Sequence, residues 1–333
     1  MRTSSFVIRL RLGLLARRVG LLLAAGCWAH GAAAQQPAAP ALLAQPGYYR
    51  MRLGAVLVTA LADGTVPYPF RDILTHTTPA EVDRRLARAD LTSPVEGSDN
   101  GYLLELGTRL VLIDTGAGDL LGPTTGHLLA GLRAAGYQPE QVTDVLLTHL
   151  HSDHAGGLVT GGQRVFPNAT LHVSQADLDY CLSDARVQQA PASARPYFLA
   201  ARAALVPYQA AGKVQAFTGA ITLFPGLQAQ PAPGHTPGHT SYVLASQGQK
   251  LAFLGDVLHA VAVQLPQPAV SLLGDTDQAR SAATRQQAAA DAARLGYWVA
   301  LAHTSFPGIG HVRPAGQGYE WVPINYSLKG TGQ

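Results

Sequence analysis

Thr148-His149-Leu150-His151-Ser152-Asp153-His154-Ala155-Gly156-Gly157 is the stretch on which the reading of this 333-residue chain turns. It packs four metal-capable side chains, His149, His151, Asp153 and His154, into six residues. Imidazole and carboxylate together suit a borderline divalent ion such as zinc. The spacing does not belong to one helix face, because residues i and i+2 do not face each other on a helix. It fits a loop leaving a strand, with the side chains turned inward on one spot. The preceding segment, Val142 to Thr148 (VTDVLLT), is short, apolar and β-branched, as a buried strand is.

Further candidate ligands lie downstream. Pro233 to His239 (PGHTPGH) is a Gly/Pro-punctuated loop carrying His235 and His239. Asp256 follows the apolar run Lys250 to Leu254, and His303 follows the run Tyr297 to Leu301. Each repeats the order strand, loop, ligand. That order collects several strand ends at one edge of a sheet, where α/β proteins hold their sites.

HxHxDH, then GHTPGH, then GD, then AH resemble the metallo-β-lactamase fold superfamily. Within it the chain is similar to the methyl parathion hydrolase group, on Gly47 to Met51, Leu112 to Gly116, Ala135 to Gln141, Ser305 to His311 and Val322 to Tyr326. The similarity runs from about residue 46 to about residue 328. It implies an α+β fold, a four-layer αββα sandwich, over residues 47–333. It also implies a binuclear centre with two divalent ions per chain. His149, His151 and His235 would hold one ion, Asp153, His154 and His303 the other, and Asp256 would bridge both. Zinc is the first expectation, and manganese, cobalt and iron accept the same ligands. In the mechanism this implies, a metal-bridging hydroxide attacks a lactone, aryl ester or organophosphate triester. Asp153 or Asp256 is the candidate catalytic proton carrier.

The resemblance also sets expectations around the centre. Asp114, in the Leu112 to Gly116 turn (LIDTG), is expected to orient a ligand histidine through its far ring nitrogen. His235 is preferred to His239 as the ligand, with His239 expected to hydrogen-bond within its loop. Phe198 keeps an aromatic position of the substrate pocket. Leu121 and Cys181 stand where the group carries a Phe and a Trp. His259 and His311 are further candidates for the pocket, with a packing role the alternative for His311. Each ring pair lost removes about 0.5–1.5 kcal/mol of stacking. The expectation therefore shifts from organophosphates toward lactones and aryl esters.

Asp256 argues against zinc β-lactamases, which generally lack a bridging carboxylate there. It favours lactonases, phosphotriesterases and glyoxalase II-like thioesterases. A competing class is a non-catalytic metal-binding protein on the same fold. Drift away from catalysis would erode ligand positions, and all seven are present.

Composition bounds the rest. With 47% hydrophobic and 14% charged residues the chain can build a large core. Its net charge of +3 includes Arg2, Arg9, Arg11, Arg17 and Arg18, so the remainder is near neutral. No nucleic-acid partner and no anionic membrane surface is indicated. The expected partner is a small neutral ester; the residues are silent on oligomeric state, and the resemblance, whose members are often dimers, points to a homodimer. Residues 1–34 read as an export signal to the periplasm or exterior, with Val19 to Ala29 as its apolar stretch and Ala32 to Ala34 before cleavage. No stable membrane insertion is expected after cleavage. Leu23 to Cys27 is a weak lipoprotein-like box, and residues 35–46 read as a flexible linker. Loss of the leader leaves Cys181 without an internal disulfide partner.

The local pattern predicts a strand over 54–62 with a tight turn at Asp63-Gly64. It predicts helices from Thr78 to about Ala89, over Thr124–Ala135, from Gln175 to Cys181, over 186–206 and over Gln278–Leu295. Strands are expected at Tyr102–Leu106, Arg109–Ile113, Ala169–Val173, Ile221–Leu223, Leu227–Gln230, Ser241–Ala245 and Leu251–Leu254. His30, His76, His127 and His172 read as surface or packing residues.

Overall fold

The computed structural model describes residues 47–192 and 194–327. The expected signal 1–34, with Cys27 and His30, and the linker 35–46 lie outside the described residues. Among the described residues no helix is long and apolar enough to cross a membrane.

Two seven-stranded sheets carry the fold, each with its strands in chain order. The first holds β1 (Tyr48–Leu53), β2 (Val56–Tyr68), β3 (Val95–Leu106), β4 (Arg109–Ile113), β5 (Asp144–Leu146), β6 (Thr170–Ser174) and β7 (Val214–Phe217). The second holds β8 (Ile221–Phe224), β9 (Leu227–Pro231), β10 (Thr240–Ser246), β11 (Gln249–Phe253), β12 (Trp298–Ala300), β13 (Ile309–Ala315) and β14 (Gly318–Pro323). β1 to β4 pair antiparallel, and β4 to β7 pair parallel. In the second sheet only β11 and β12 run parallel. Parallel neighbours need crossovers, and these carry the helices. They are α1 (Pro79–Ala87) between β2 and β3, α2 (Leu128–Ala134), α3 (Ser152–Ala155), α4 (Gln175–Cys181), α5 (Asp184–Gln189), α6 (Arg195–Ala210) and α7 (Gln278–Leu295). α1 is the exception, lying in an antiparallel connection.

Strand alternation builds the layers. Leu104, Val111, Ile113 and Leu146 point between the sheets, onto Leu227, Tyr242, Leu244 and Phe253. Their neighbours Leu103, Leu112 and Val145 point outward, onto Leu128 and Leu132 of α2 and Ala201 and Leu205 of α6. In the second sheet Val243, Ala252 and Val299 point outward, onto Ala289 and Ala292 of α7. Side chains of successive strand residues face opposite sides, so a strand covered on both faces reads as continuously apolar. Each large side chain so buried stabilises by about 1.5–3 kcal/mol relative to exposure. The result is helices on each outer face of two packed sheets, the αββα sandwich.

Local expectations hold where caps and periodicity are strong. Thr78 caps α1 by accepting from the Glu81 N–H, and α7 ends at Gly296 in the left-handed conformation. Three expectations are corrected. Asp63-Gly64 is no turn: β2 runs through it, with a bulge between Ala62 and Gly64. The helix expected from Thr124 starts at Leu128, because Gly126 takes a positive φ and the preceding backbone is drawn to Asp63. The 186–206 segment is two helices, divided around Pro191, whose missing N–H and fixed φ favour a break.

Candidate metal centre

Each candidate ligand leaves the end of a strand. His149 and His151 follow β5, and Asp153 and His154 sit in the single turn α3. His235 lies in the β9–β10 loop, Asp256 follows β11 and His303 follows β12. The two sheets thus deliver all seven side chains to one place. Ligand atoms of His149, His151, His235 and Asp256 lie within 4.8 Å of one another. Those of Asp153, His154, Asp256 and His303 do the same.

Asp256 stands between the two sets with one oxygen toward each. Its Oδ2 is 3.2 Å from His235 Nε2 and 3.6 Å from His149 Nε2. Its Oδ1 is 3.1 Å from His154 Nε2 and 3.0 Å from His303 Nε2. Asp153 Oδ2 is 3.5 Å from both His154 and His303 Nε2. His149 Nε2, His154 Nε2, His303 Nε2 and Asp256 Oδ1 are buried without a hydrogen-bond partner. Four unsatisfied polar atoms aimed at one spot are costly unless a ligand completes them. Neutral imidazoles and carboxylates in this number are a fitting donor set for two divalent cations.

The far ring nitrogens explain why these imidazoles face inward. His154 Nδ1 donates to Asp114 Oδ2 at 2.9 Å. The same carboxylate accepts from the Thr148 N–H and hydroxyl, both at 2.8 Å, and the Thr148 oxygen is 3.1 Å from His149 Nδ1. Asp114 itself takes φ 55°, a left-handed conformation that aspartate tolerates better than most residues. It therefore meets the expectation that it orients a ligand histidine. Two further carboxylates do the same work and were not anticipated. Asp275 accepts from His235 Nδ1 at 2.8 Å, and Asp99 accepts from His303 Nδ1 at 2.9 Å. The Tyr68 hydroxyl joins the latter pair, donating to Asp99 at 3.1 Å and lying 2.9 Å from His303 Nδ1. The polar run Ser98-Asp99-Asn100 just before the apolar Tyr102 to Leu104 was the available signal for Asp99. Asp275 lies in an ordinary Gly/Asp/Thr loop and had none.

Charge is shared tightly here. Burial alone would raise the Asp256 carboxyl, but His154, His303 and His259 hold it well below the usual carboxylate range. Asp153 is likewise held low against burial, by His154 and His303. Burial works against protonating His154 and His303, yet Asp256, with Asp153 beside His154 and Asp99 beside His303, lifts both well above the usual histidine range. His235 reaches about 9, because Asp256 and Asp275 outweigh its burial. His151 and His239 fall to about 3 through burial and the charge of His235. Binding a cation to such ligands displaces their protons.

We expect Asp275→Asn to keep an acceptor at His235 Nδ1 but remove its charge. Affinity for the ion on the His149, His151 and His235 side should fall about 10–100-fold, with the other side less affected. Competition titration against a chromogenic chelator measures both steps.

His239 is corrected. Its backbone N–H does donate within the loop, to the Thr236 carbonyl, but its imidazole accepts the Asp256 N–H through Nε2 at 3.0 Å, which a neutral ring can do. It thereby holds the backbone of the residue between the two ligand sets.

A cavity of about 390 Å³ opens onto the centre. Leu121, Cys181, Phe198 and His259 line it, as do Asp153 and Asp256. His259 Nε2 is 2.9 Å from Asp256 Oδ2, and its ring stacks on His303. Cys181 is free and buried, which pushes its thiol up. His311 is not in the pocket. On β13 it packs against Trp298 with ring centroids 3.8 Å apart, and its Nδ1 donates to the Tyr297 carbonyl at 3.2 Å. Leu121 and Cys181 bring no ring to the wall, but Tyr68, Tyr180 and Tyr197 line the cavity beside Phe198. Tyr180 and Tyr197 are the chain neighbours of Cys181 and Phe198, and Tyr68 comes from β2.

The geometry agrees with what the chain is similar to. The sequence profile of the metallo-beta-lactamase superfamily matches residues 95–299. An N-acyl homoserine lactonase of Bacillus cereus is 26% identical over 172 residues, covering 46% of this chain and 60% of that protein. Metallo-beta-lactamase domain-containing protein 1 of Mus musculus is 39% identical over 95 residues, 28% of this chain and 32% of that protein. The chain thus spans about 60% or less of these two relatives. Among solved structures, the hydrolase AbOPH of the beta lactamase superfamily is 34% identical with a TM-score of 0.81, over 85% of this chain and 99% of that one. AidC, a dizinc quorum-quenching lactonase, is 27% identical with a TM-score of 0.78, over 84% and 98%. Fold, ligand constellation and profile converge, and the chain belongs to the metallo-beta-lactamase superfamily.

Proposed function

We propose that this protein is a binuclear metal-dependent hydrolase of lactones and aryl esters that carry an apolar group. The observation that carries it is Asp256, whose two oxygens face two separate sets of histidines. When bound, a pair of divalent cations acidifies water to near neutrality and polarises the substrate oxygen. The chain's own residues do the rest. Asp114, Asp275 and Asp99 orient the inward imidazoles of His154, His235 and His303. Tyr180, Tyr197 and Phe198 give the cavity an aromatic wall that holds an acyl or aryl group and keeps bulk water out. Both carboxylates line the cavity, but Asp256 is enclosed by imidazoles with its side chain 3% exposed, whereas that of Asp153 is 18% exposed. We therefore assign the proton relay to Asp153, which would take the proton from the attacking water and pass it to the leaving oxygen. Lactonase relatives favour a lactone such as an N-acyl homoserine lactone, and phosphotriester hydrolysis is the side activity. The signal-like residues 1–34 support export.

The test is elemental analysis followed by a substrate panel. Reconstituted protein should hold two ions per chain and turn over N-hexanoyl homoserine lactone, dihydrocoumarin and p-nitrophenyl acetate faster than methyl paraoxon. Chelation should abolish all of it, and zinc, cobalt or manganese should restore it. Full metal occupancy with no turnover across the panel would favour a non-catalytic metal-binding protein instead.

A further inference from the structure

Asp63 is a buried carboxylate for which the chemistry above has no use. The bulge between Ala62 and Gly64 takes it out of the β2–β3 ladder. Its Oδ2 accepts the N–H groups of Ala117 at 2.9 Å and Gly126 at 3.0 Å, and its Oδ1 accepts that of Leu128 at 3.1 Å. Its carbonyl accepts the His127 N–H at 2.8 Å, and the Thr65 N–H donates to the Thr124 carbonyl at 3.0 Å. One carboxylate thus ties together both ends of a segment. Hydrogen bonds to an ionised acceptor are the strong kind.

Between those ends runs Gly118 to Thr125, GDLLGPTT. Its tip exposes Leu120 (51%) and Leu121 (37%), and Leu121 lines the cavity. Inside the segment, backbone bonds close short turns, Leu120 N–H to Ala117 and Thr125 N–H to Gly122. The root rests on the end of the metal-ligand motif: the Gly157 N–H donates to the Gly116 carbonyl at 2.9 Å. A Cβ on Gly156 would stand 2.2 Å from the Ala117 carbonyl oxygen, so these backbones meet closer than any side chain allows. The Gly-Gly after HxHxDH is the seat of this loop.

We propose that residues 117–128 are a substrate flap clasped by Asp63, and that the clasp, by holding Leu121 against the pocket, favours esters and lactones with an extended apolar group. The substrate half rests on the hydrolase reading above; the clasp stands on the hydrogen bonds alone. The flap gives the acyl chain an apolar wall that a short acetyl group does not reach.

Asp63→Asn tests the clasp. Whichever way the amide sits, an NH2 faces at least one backbone N–H. Hydrogen–deuterium exchange on metal-loaded protein should speed up in peptides covering 117–128 and stay unchanged in β6 and β10. The ratio of kcat/KM for p-nitrophenyl octanoate over p-nitrophenyl acetate should fall roughly tenfold. Leu121→Ser keeps the clasp and should lower the same ratio with exchange as in the parent protein. Unchanged exchange in Asp63→Asn overturns the clasp, and so does loss of protection across β1 to β4, which would make Asp63 a general core residue. An unchanged ratio in both variants overturns the selectivity. If the parent protein cleaves neither ester nor any lactone of the panel, the hydrolase reading fails while the exchange result still decides the clasp.

Discussion

Asp256→Asn should reduce turnover on the order of a thousandfold and leave fewer than two ions bound. The substitution is nearly isosteric, so packing is kept and the charge is what disappears. Among the described residues Asp256 is the one side chain shared by both ligand groups, 3.2 Å from His235 on one side and 3.0 Å from His303 on the other. An amide presents an oxygen to one set and an NH2 to the other, so one side loses an anionic donor and gains a repulsive one. His154, His235 and His303 also lose the carboxylate that raises their proton affinity, so fewer protons should be released on metal loading. Elemental analysis, proton release in weak buffer and kcat/KM read the three effects separately. Two tightly held ions with ordinary turnover would refute the bridging role.

Metal-free protein, prepared by chelation, should lose stability as pH rises from about 7.5 to about 9, while metal-loaded protein should not. His235 binds its proton more tightly folded than unfolded. Its contribution is therefore full below its unfolded value of 6.5 and is lost as pH climbs through about 9. The difference corresponds to something on the order of 3 kcal/mol for this buried group. His154 and His303 are raised as well and act in the same direction. His149, His151, His239 and His259 are depressed; they oppose the trend near pH 6.5, where the unfolded histidines are still partly protonated, and drop out above about pH 7.5, where they are neutral in both states. In loaded protein a cation takes the place of those protons, and the dependence should flatten. Urea unfolding at about pH 7.5, 8.2 and 9, with and without zinc, measures it. Stability that climbs with pH in the chelated protein would contradict the charge balance described above.

Much of this molecule was readable before any coordinates. Thr78 before Pro79, and the long alanine-rich run Gln278 to Leu295 stopped by Gly296, are local signals, and α1 and α7 lie where they indicate. Asp63-Gly64 misled for a physical reason. The dipeptide favours a turn locally, but three backbone N–H groups from a segment more than fifty residues away claim the carboxylate, and the strand bulges instead of turning. The pocket shows the same limit: Tyr68 enters it from the end of β2, a strand whose sequence says nothing about what that ring faces.

By itself the amino-acid sequence showed candidate ligands at strand ends and the apolar strands before them, because side-chain chemistry and strand alternation are properties of neighbouring residues; the two ion sites and the four layers were what the resemblance implied. Tertiary structure alone decided which carboxylate steadies which imidazole, that His239 grips the Asp256 backbone while His311 packs on Trp298, and that Asp63 closes a loop over the pocket. Those pairings join residues tens to hundreds of positions apart. A hydrogen bond is set by a distance of about 3 Å and a direction, and neither is written in the order of residues along the chain.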